Sequence, residues 1–509
     1  MLWLLITSIN LNKAFHIDDT FHIEVAKWIE NNPLEPMSGK VNWGNNPNYI
    51  SSFNQPPLFF YIMAFWGHFC GYSEVSLHLL LSIFTLISMI YFYKIIGHYT
   101  SKNSLLYLSL FALSPTLIIN QNIMTDIPLL SMMLVFFYFI ISNPTKVSNL
   151  IYASIFLGIT LLIKYTTLPL FLVLIYAILK KYSWKNLSII LIPIGFLVLW
   201  SLFNWFEYQS IHFFDRPKNE FSLIRIFGLS FIFICCLGSL FPFLLTFVDK
   251  GLKIKFYAWI FIISIISIGF LTYFNLINQI QSDYTLYGLF AVNGILSVIA
   301  IIKLMRYLIK DYLFQLLFIA LISLSVFMII LAPFMASRHF LLLLPFLILL
   351  AIPILEKSSP LTKNFILTIS VIFGITTSIS DWIFADFYRN KAAVFANKYP
   401  NSYSIGHWGW QHYSKSAGMQ VYGRDSSRLK LGDILIGPVD VAKQAIHPSL
   451  VFDTIEQFVE PAPILTFISG KKHGSMYNAS SKKTSWNFSH QPIDTILVYR
   501  VVKTDVKPD

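Results

Sequence analysis

Charged residues are scarce in this 509-residue chain: they make up 12% of it against 56% hydrophobic, and mean hydropathy is +0.63. A soluble domain carries roughly 25% charge, so a wholly soluble fold is excluded. Cysteine is nearly absent. The three present include the adjacent Cys235 and Cys236 inside an apolar run, which gives neither a disulfide framework nor a zinc spacing. No internal repeat, heptad or low-complexity tract is visible. Acidic residues are the rarer sign, and the formal net charge is +12. That excess does not point to nucleic acid, because the basic residues are scattered through short loops, where membrane proteins keep Lys and Arg on the cytoplasmic side.

Long apolar runs fill the first three quarters of the chain. "SEVSLHLLLSIFTLISMIYFYKII" and "LFQLLFIALISLSVFMIILAPF" each reach the ~20 residues that cross a bilayer core. By that criterion about thirteen transmembrane helices are expected, at 1–14, 74–96, 104–119, 127–142, 150–163, 167–179, 187–204, 223–247, 256–274, 284–305, 313–334, 340–355 and 365–384. The first is short for a span and has no basic region or cleavage site of a signal peptide, so it reads as a helix whose start lies upstream.

Alternate loops are short and Lys-rich ("NPTKVS", "KKYSWKN", "VDKGLKIK"), which assigns them to the cytoplasm. The other loops are more acidic and carry Asp18, Asp19, Asp126, Lys164, Asp215, Arg216, Asp283, Arg338 and His339. These residues are therefore expected on the outer, periplasmic or luminal, face. Asp126 and Lys164 abut apolar runs, where ionisable groups are costly and usually have a purpose. Residues 1–384 thus form a membrane domain. Residues 385–509 are polar, with strand-like runs "DILIGPV" and "DTILVYR", and read as a soluble α/β domain on the outer face. The glycosylation patterns at Asn478 and Asn487 are too short to carry weight.

The densest acidic cluster sits in the first external loop, 15–73. Phe21, Val25, Trp28 and Ile29 fall on one side of a helix there, so an amphipathic helix at the membrane surface is expected. A second interfacial helix should follow Pro56 and Pro57. The pair Asp18–Asp19 could be a solvated loop, a general base or a metal ligand; partial desolvation would raise a carboxylate toward the range useful for taking a proton.

The ordered stretches "IDDTFHIEVAKWI", "NQPPLFFY", "GYSEVSLHLL", "MTDIPLL", "LLIKYTTLPLF", "ASRHFLLLLPFL" and "GHWGWQHYSKSAGMQVYG" resemble the polyprenyl-phosphate-dependent glycosyltransferases of the GT-C superfamily. They are most similar to the bacterial relatives of protein O-mannosyltransferases and of lipid A aminoarabinose transferases. The resemblance covers most of the chain. It implies an inverting transfer of a sugar from a polyprenyl-phosphate donor to an acceptor hydroxyl of a glycolipid, polysaccharide or protein. For a bacterial member it implies the inner membrane, with the site facing the periplasm.

By the same resemblance, Asp18 stands where the family has its presumed base, and Asp19 where Glu is more frequent. Asp126 matches the second acidic position, Lys164–Tyr165 the Lys-Tyr pair, and Arg338 the Arg before the "LLLLP" run, with His339 where Tyr is common. Lys164, Arg338 and His339 would then hold the donor phosphate, and Arg can fork across phosphate oxygens. Read without the resemblance, Lys164 is a snorkelling side chain and Arg338 a helix-end anchor. His22, Trp408 and Trp410 are candidate acceptor or sugar contacts, although the aromatic segment 406–413 fits a domain core equally well. Some family members use a divalent metal near the first-loop acid; His16, His22, Glu24 and His212 are the available ligands, without a tight metal spacing. The competing function is a lipid-linked sugar flippase, which should place charge near the bilayer midplane and often shows internal repeats. A polysaccharide polymerase or ligase would share the chemistry but would not predict the C-terminal domain.

Overall fold

Breaks in the apolar runs fall where residue chemistry places them. The computed structural model describes residues 1–143, 145–215, 221–240, 242–332, 335–425, 429–461, 476–477 and 484–504; Arg216 and Asn478 lie outside them. The run 104–119 is two helices, Ser104–Ala112 and Pro115–Ile119. Ser114 Oγ caps the second by accepting from Leu117 N–H (3.2 Å), and Pro115 occupies its first turn. The run 223–247 leaves α-helix at Gly238. In the opposite sense, the segment 365–384 is part of a 39-residue helix, Pro360–Lys398, which passes straight through the change in composition. Beyond 384 it remains amphipathic: Phe387, Tyr388, Ala392 and Phe395 are buried, while Asn390, Val394 and Lys398 face outward.

The chain is a polytopic α-helical membrane protein. Among the described residues five helices are long and apolar enough to cross a bilayer: Glu74–Tyr99, Trp184–Tyr208, Gln279–Leu308, Tyr312–Leu331 and Pro360–Lys398. Six further apolar helices have 10–17 residues, so several segments read as spans are shorter than a full crossing. Leu344–Glu356 is apolar all round and buried at eleven positions, which puts it at the centre of the bundle. The apolar window of Trp184–Tyr208 is only 6% buried and faces outward. Helices Leu223–Gly238 and Gln279–Leu308 cross with their backbones in contact. A Cβ on Gly238 would lie 1.9 Å from Phe290 O, one on Gly294 2.0 Å from Ile234 O, and Asn293 Nδ2 donates to Gly238 O (2.8 Å).

The first loop opens with helix Asp19–Asn31 and contains a short hairpin of β1 (Lys40–Val41) and β2 (Asn48–Tyr49). Helix Leu58–Cys70 follows Pro56 and Pro57. The apolar side of Asp19–Asn31 packs on Leu58–Cys70 and on helix Trp408–Ser416 of the C-terminal domain. Its amphipathic pattern therefore reports protein partners, where the sequence suggested a lipid surface.

The C-terminal domain is a five-stranded sheet of β3 (Tyr403–Ser404), β4 (Gln420–Val421), β5 (Ile434–Pro438), β6 (Leu450–Glu460) and β7 (Asp494–Thr504), in the order β4-β3-β5-β7-β6. β4, β3 and β5 run parallel, with helix Trp408–Ser416 between β3 and β4; β7 pairs antiparallel with β5 and β6. The domain grips the first loop. Tyr413 Oη donates to Glu74 Oε1 (2.8 Å) and accepts from Phe15 N–H (2.7 Å), and Gln411 Nε2 donates to Asn42 O (3.1 Å). A Cβ on Gly409 would lie 2.5 Å from Phe15 O, so this close approach requires glycine. Asn487 is buried and donates to Asp283 Oδ1 (2.8 Å), so its side chain is inside the protein rather than exposed.

Candidate active site

Asp18 stands at the N-cap of helix Asp19–Asn31, directly after Ile17, whose φ of +52° is unusual for a β-branched residue. That turn aims two neighbouring carboxylates in different directions. Asp18, a quarter exposed, lines a cavity of about 540 Å³, and its Oδ2 accepts from Arg338 Nη1 at 2.8 Å. Asp19 is fully buried away from the cavity and accepts from His16 N–H (3.1 Å).

The cavity has a charged end and an apolar wall. Lys164, Arg338, His339 and His22 line it with Asp18, while Phe327, Met328 and Leu331 supply hydrocarbon and Trp408 an aromatic face. Both cations are partnered by carboxylates: Lys164 Nζ donates to Asp126 Oδ1 at 2.8 Å, as Arg338 does to Asp18. Arg338 is buried, which alone would lower its pKa, but Asp18 and Asp126 outweigh that and raise it. Burial, then Lys164 and Arg338, push the His339 pKa down to about 3, so this imidazole is neutral and offers hydrogen bonds without charge. Asp126 does not line the cavity; it reaches the site through Lys164. Trp410 is fully buried beside Gly406 in the domain core, so only Trp408 of the two faces the cavity.

The segment 122–126 touches several of the candidate side chains. Asn122 Oδ1 accepts from Lys13 Nζ (2.6 Å), Ile123 O meets His22 Nδ1 (2.6 Å), Met124 Sδ lies 3.0 Å from Arg338 Nη1, and Asp126 pairs with Lys164. On the other side, Trp200 Nε1 donates to Tyr165 Oη (3.1 Å). The Tyr165 hydroxyl then donates to His212 Nδ1 (3.1 Å), and His212 Nε2 to Phe53 O (2.7 Å). This chain fixes the His212 tautomer and pins the cavity wall beside Lys164.

Among the described residues, the candidate ligands do not fit a divalent ion. His16 is buried behind the cavity, His22 is held at both ring nitrogens by Ile123 O and Gln55, and His212 is engaged as above. Glu24 lines a different cavity, and no group of three or more His, Cys, Asp or Glu suited to a metal forms among the described residues.

Sequence reasoning missed Lys13 and Asp381, a buried ion pair behind Asp18, and Tyr477, which lines the cavity and hydrogen-bonds Asp381 (2.9 Å). Asp381 carried a signal, as a lone acid in the apolar run "SISDWIF". Tyr477 carried none.

The family model of dolichyl-phosphate-mannose-protein mannosyltransferases matches residues 54–205. That match bears out the resemblance read from the sequence. The matched segment contains Gln55, Asp126, Lys164 and Tyr165, and leaves Asp18, Arg338 and Trp408 outside it. Two crystal structures of ArnT from Cupriavidus metallidurans are similar to the chain. The apo form has 10% identity and a TM-score of 0.46, covering 86% of this chain and 90% of that one. The form bound to undecaprenyl phosphate has 12% identity and a TM-score of 0.44, covering 77% and 70%. No curated protein matches the chain.

Proposed function

We propose that this protein is an integral-membrane glycosyltransferase that moves a sugar from a polyprenyl-phosphate donor to an acceptor hydroxyl on the outer face of the membrane. The observation that carries the reading is the cavity itself, where Arg338 and Lys164 meet the apolar wall of Phe327, Met328 and Leu331. A polyprenyl phosphate needs that juxtaposition, with cations for its head and hydrocarbon for its first isoprene units. The match of residues 54–205 supports the same donor class.

In the proposed inverting displacement, the acceptor oxygen forms a bond to the anomeric carbon as the carbon–oxygen bond to phosphate breaks. Asp18 takes the hydroxyl proton, and Arg338 and Lys164 stabilise the charge gathering on the departing phosphate. His339 and His22 would orient the phosphate and sugar by hydrogen bonds, and Trp408 offers a stacking face. The charges gather at one end of the cavity, which favours an enzyme over a flippase. The Lys-rich alternate loops favour an outer placement of the site and the C-terminal domain.

The test is transfer of label from polyprenyl-phosphate sugars by purified protein in lipid nanodiscs. Asp18→Asn should lower the rate by about 100-fold or more. Equal transfer by the variant would remove Asp18 as base. Transfer from no donor, with accelerated lipid movement across vesicles, would replace the enzyme reading by the flippase.

A further inference from the structure

Behind Asp18 lies a cluster of four ionisable side chains, each no more than 1% exposed: Lys13, His16, Asp19 and Asp381. Lys13 is ion-paired with Asp381 and also donates to Asn122 Oδ1 (2.6 Å) and Ile119 O (3.2 Å). His16 sits between the two carboxylates, with Nε2 3.4 Å from Asp381 and Nδ1 3.8 Å from Asp19. Two buried carboxylates call for two cations. Lys13 is one, and an imidazolium at His16 makes the cluster neutral; burial opposes that charge, but Asp381 and Asp19 outweigh it and raise the His16 pKa.

Two routes of hydrogen bonds and adjoining backbone lead from this cluster to the cavity. Along the first, Asp19 Oδ2 accepts from His16 N–H and Asp19 N–H donates to His16 O (3.3 Å), which closes the turn around Ile17 and sets the direction of Asp18. Along the second, Asp381 and Ile119 O hold the Tyr477 hydroxyl (2.9 and 2.8 Å), and the adjacent Met476 carbonyl accepts from Arg338 N–H (3.0 Å). The cluster thus grips the backbone on either side of the Asp18–Arg338 contact.

Resting on the glycosyltransferase reading, we propose that Lys13, His16 and Asp381 are positioning residues that hold Asp18 and Arg338 in register for the transfer. None of the three lines the cavity. Their loss should therefore disturb the chemical step more than capture of the donor.

Two variants separate positioning from mere stability. Asp381→Asn removes one charge at constant shape, and the double variant Lys13→Met/Asp381→Leu removes both partners, so that no lone charge is buried. In folded protein, kcat should fall about tenfold or more with donor KM within about threefold of wild type. Hydrogen exchange should accelerate about tenfold across amides 16–22 and stay unchanged in helix Tyr257–Tyr273. A folded variant with unaltered exchange at 16–22, or with kcat within about twofold of wild type, overturns the proposal. If the single variant fails to fold, the double variant decides. Absence of transfer by wild type would instead overturn the glycosyltransferase reading, and the exchange measurement would still decide whether the cluster holds the turn.

Discussion

At the scale of single residues, the two cations of the cavity each come with a carboxylate partner. Lys164 and Asp126 are 19% and 7% exposed, so truncating one strands the other. Lys164→Met should cost about 3 kcal/mol of stability and weaken donor binding about tenfold or more. The double variant Lys164→Met/Asp126→Leu should recover the stability and not the binding, as read by thermal melting in detergent and by donor titration. Asp494 of β7 behaves differently. Burial, reinforced by Asp440, raises its pKa from 3.8 to about 6, although Val439 and Asp440 N–H (3.1 and 3.0 Å) donate to Oδ1 and Tyr388 Oη (2.9 Å) to Oδ2. Folding therefore favours the protonated acid. Its contribution, about 3 kcal/mol by linkage, is complete below pH 3.8 and lost as the pH climbs through about 6. Relative to Asp494→Asn, wild type should gain up to about 3 kcal/mol of stability as the pH falls from 8 to 4, followed by melting. A pH-independent difference would refute the assignment.

At the scale of elements, the glycine crossing of Leu223–Gly238 with Gln279–Leu308 has no room for a methyl group. Gly294→Val should destabilise the protein by about 1–3 kcal/mol, lowering both its melting temperature and its yield in membranes. Legibility differs at this scale for definite reasons. Apolar length revealed that Glu74–Tyr99 and Tyr312–Leu331 are helices, since nothing but a helix satisfies so many backbone groups in hydrocarbon. Where Pro360–Lys398 ends was hidden, because charges at Arg389 and Lys391 look like the start of a soluble domain. The apolar face of Asp19–Asn31 was visible, but periodicity cannot say whether lipid or protein covers it. Lys164 and Arg338 stood out as isolated cations beside apolar runs. Their convergence with Asp18, across 320 residues in the case of Arg338, is a property of the tertiary fold alone.

At the scale of the whole molecule, the C-terminal domain is part of the site's framework. Trp408 faces the cavity, and the next residue, Gly409, lies in the seam with the first loop at Phe15. Gly409→Val should wedge helix Trp408–Ser416 away from Phe15 and lower transfer about tenfold, with helical circular dichroism unchanged. Loss of helical signal in step with activity would show a folding defect instead. The helix Pro360–Lys398 gives the domain a second role. At ~1.5 Å per residue its 39 residues span about 58 Å. It carries Asp381 at mid-length, then Tyr388 bonded to Asp494, Lys391 paired with Glu460 (2.8 Å) and Lys398 with Glu456 (2.6 Å). No hinge separates these contacts along the helix. A load placed on the sheet would be transmitted as leverage to the buried charges beneath Asp18, so the C-terminal sheet and the Asp18–Arg338 contact are mechanically tied.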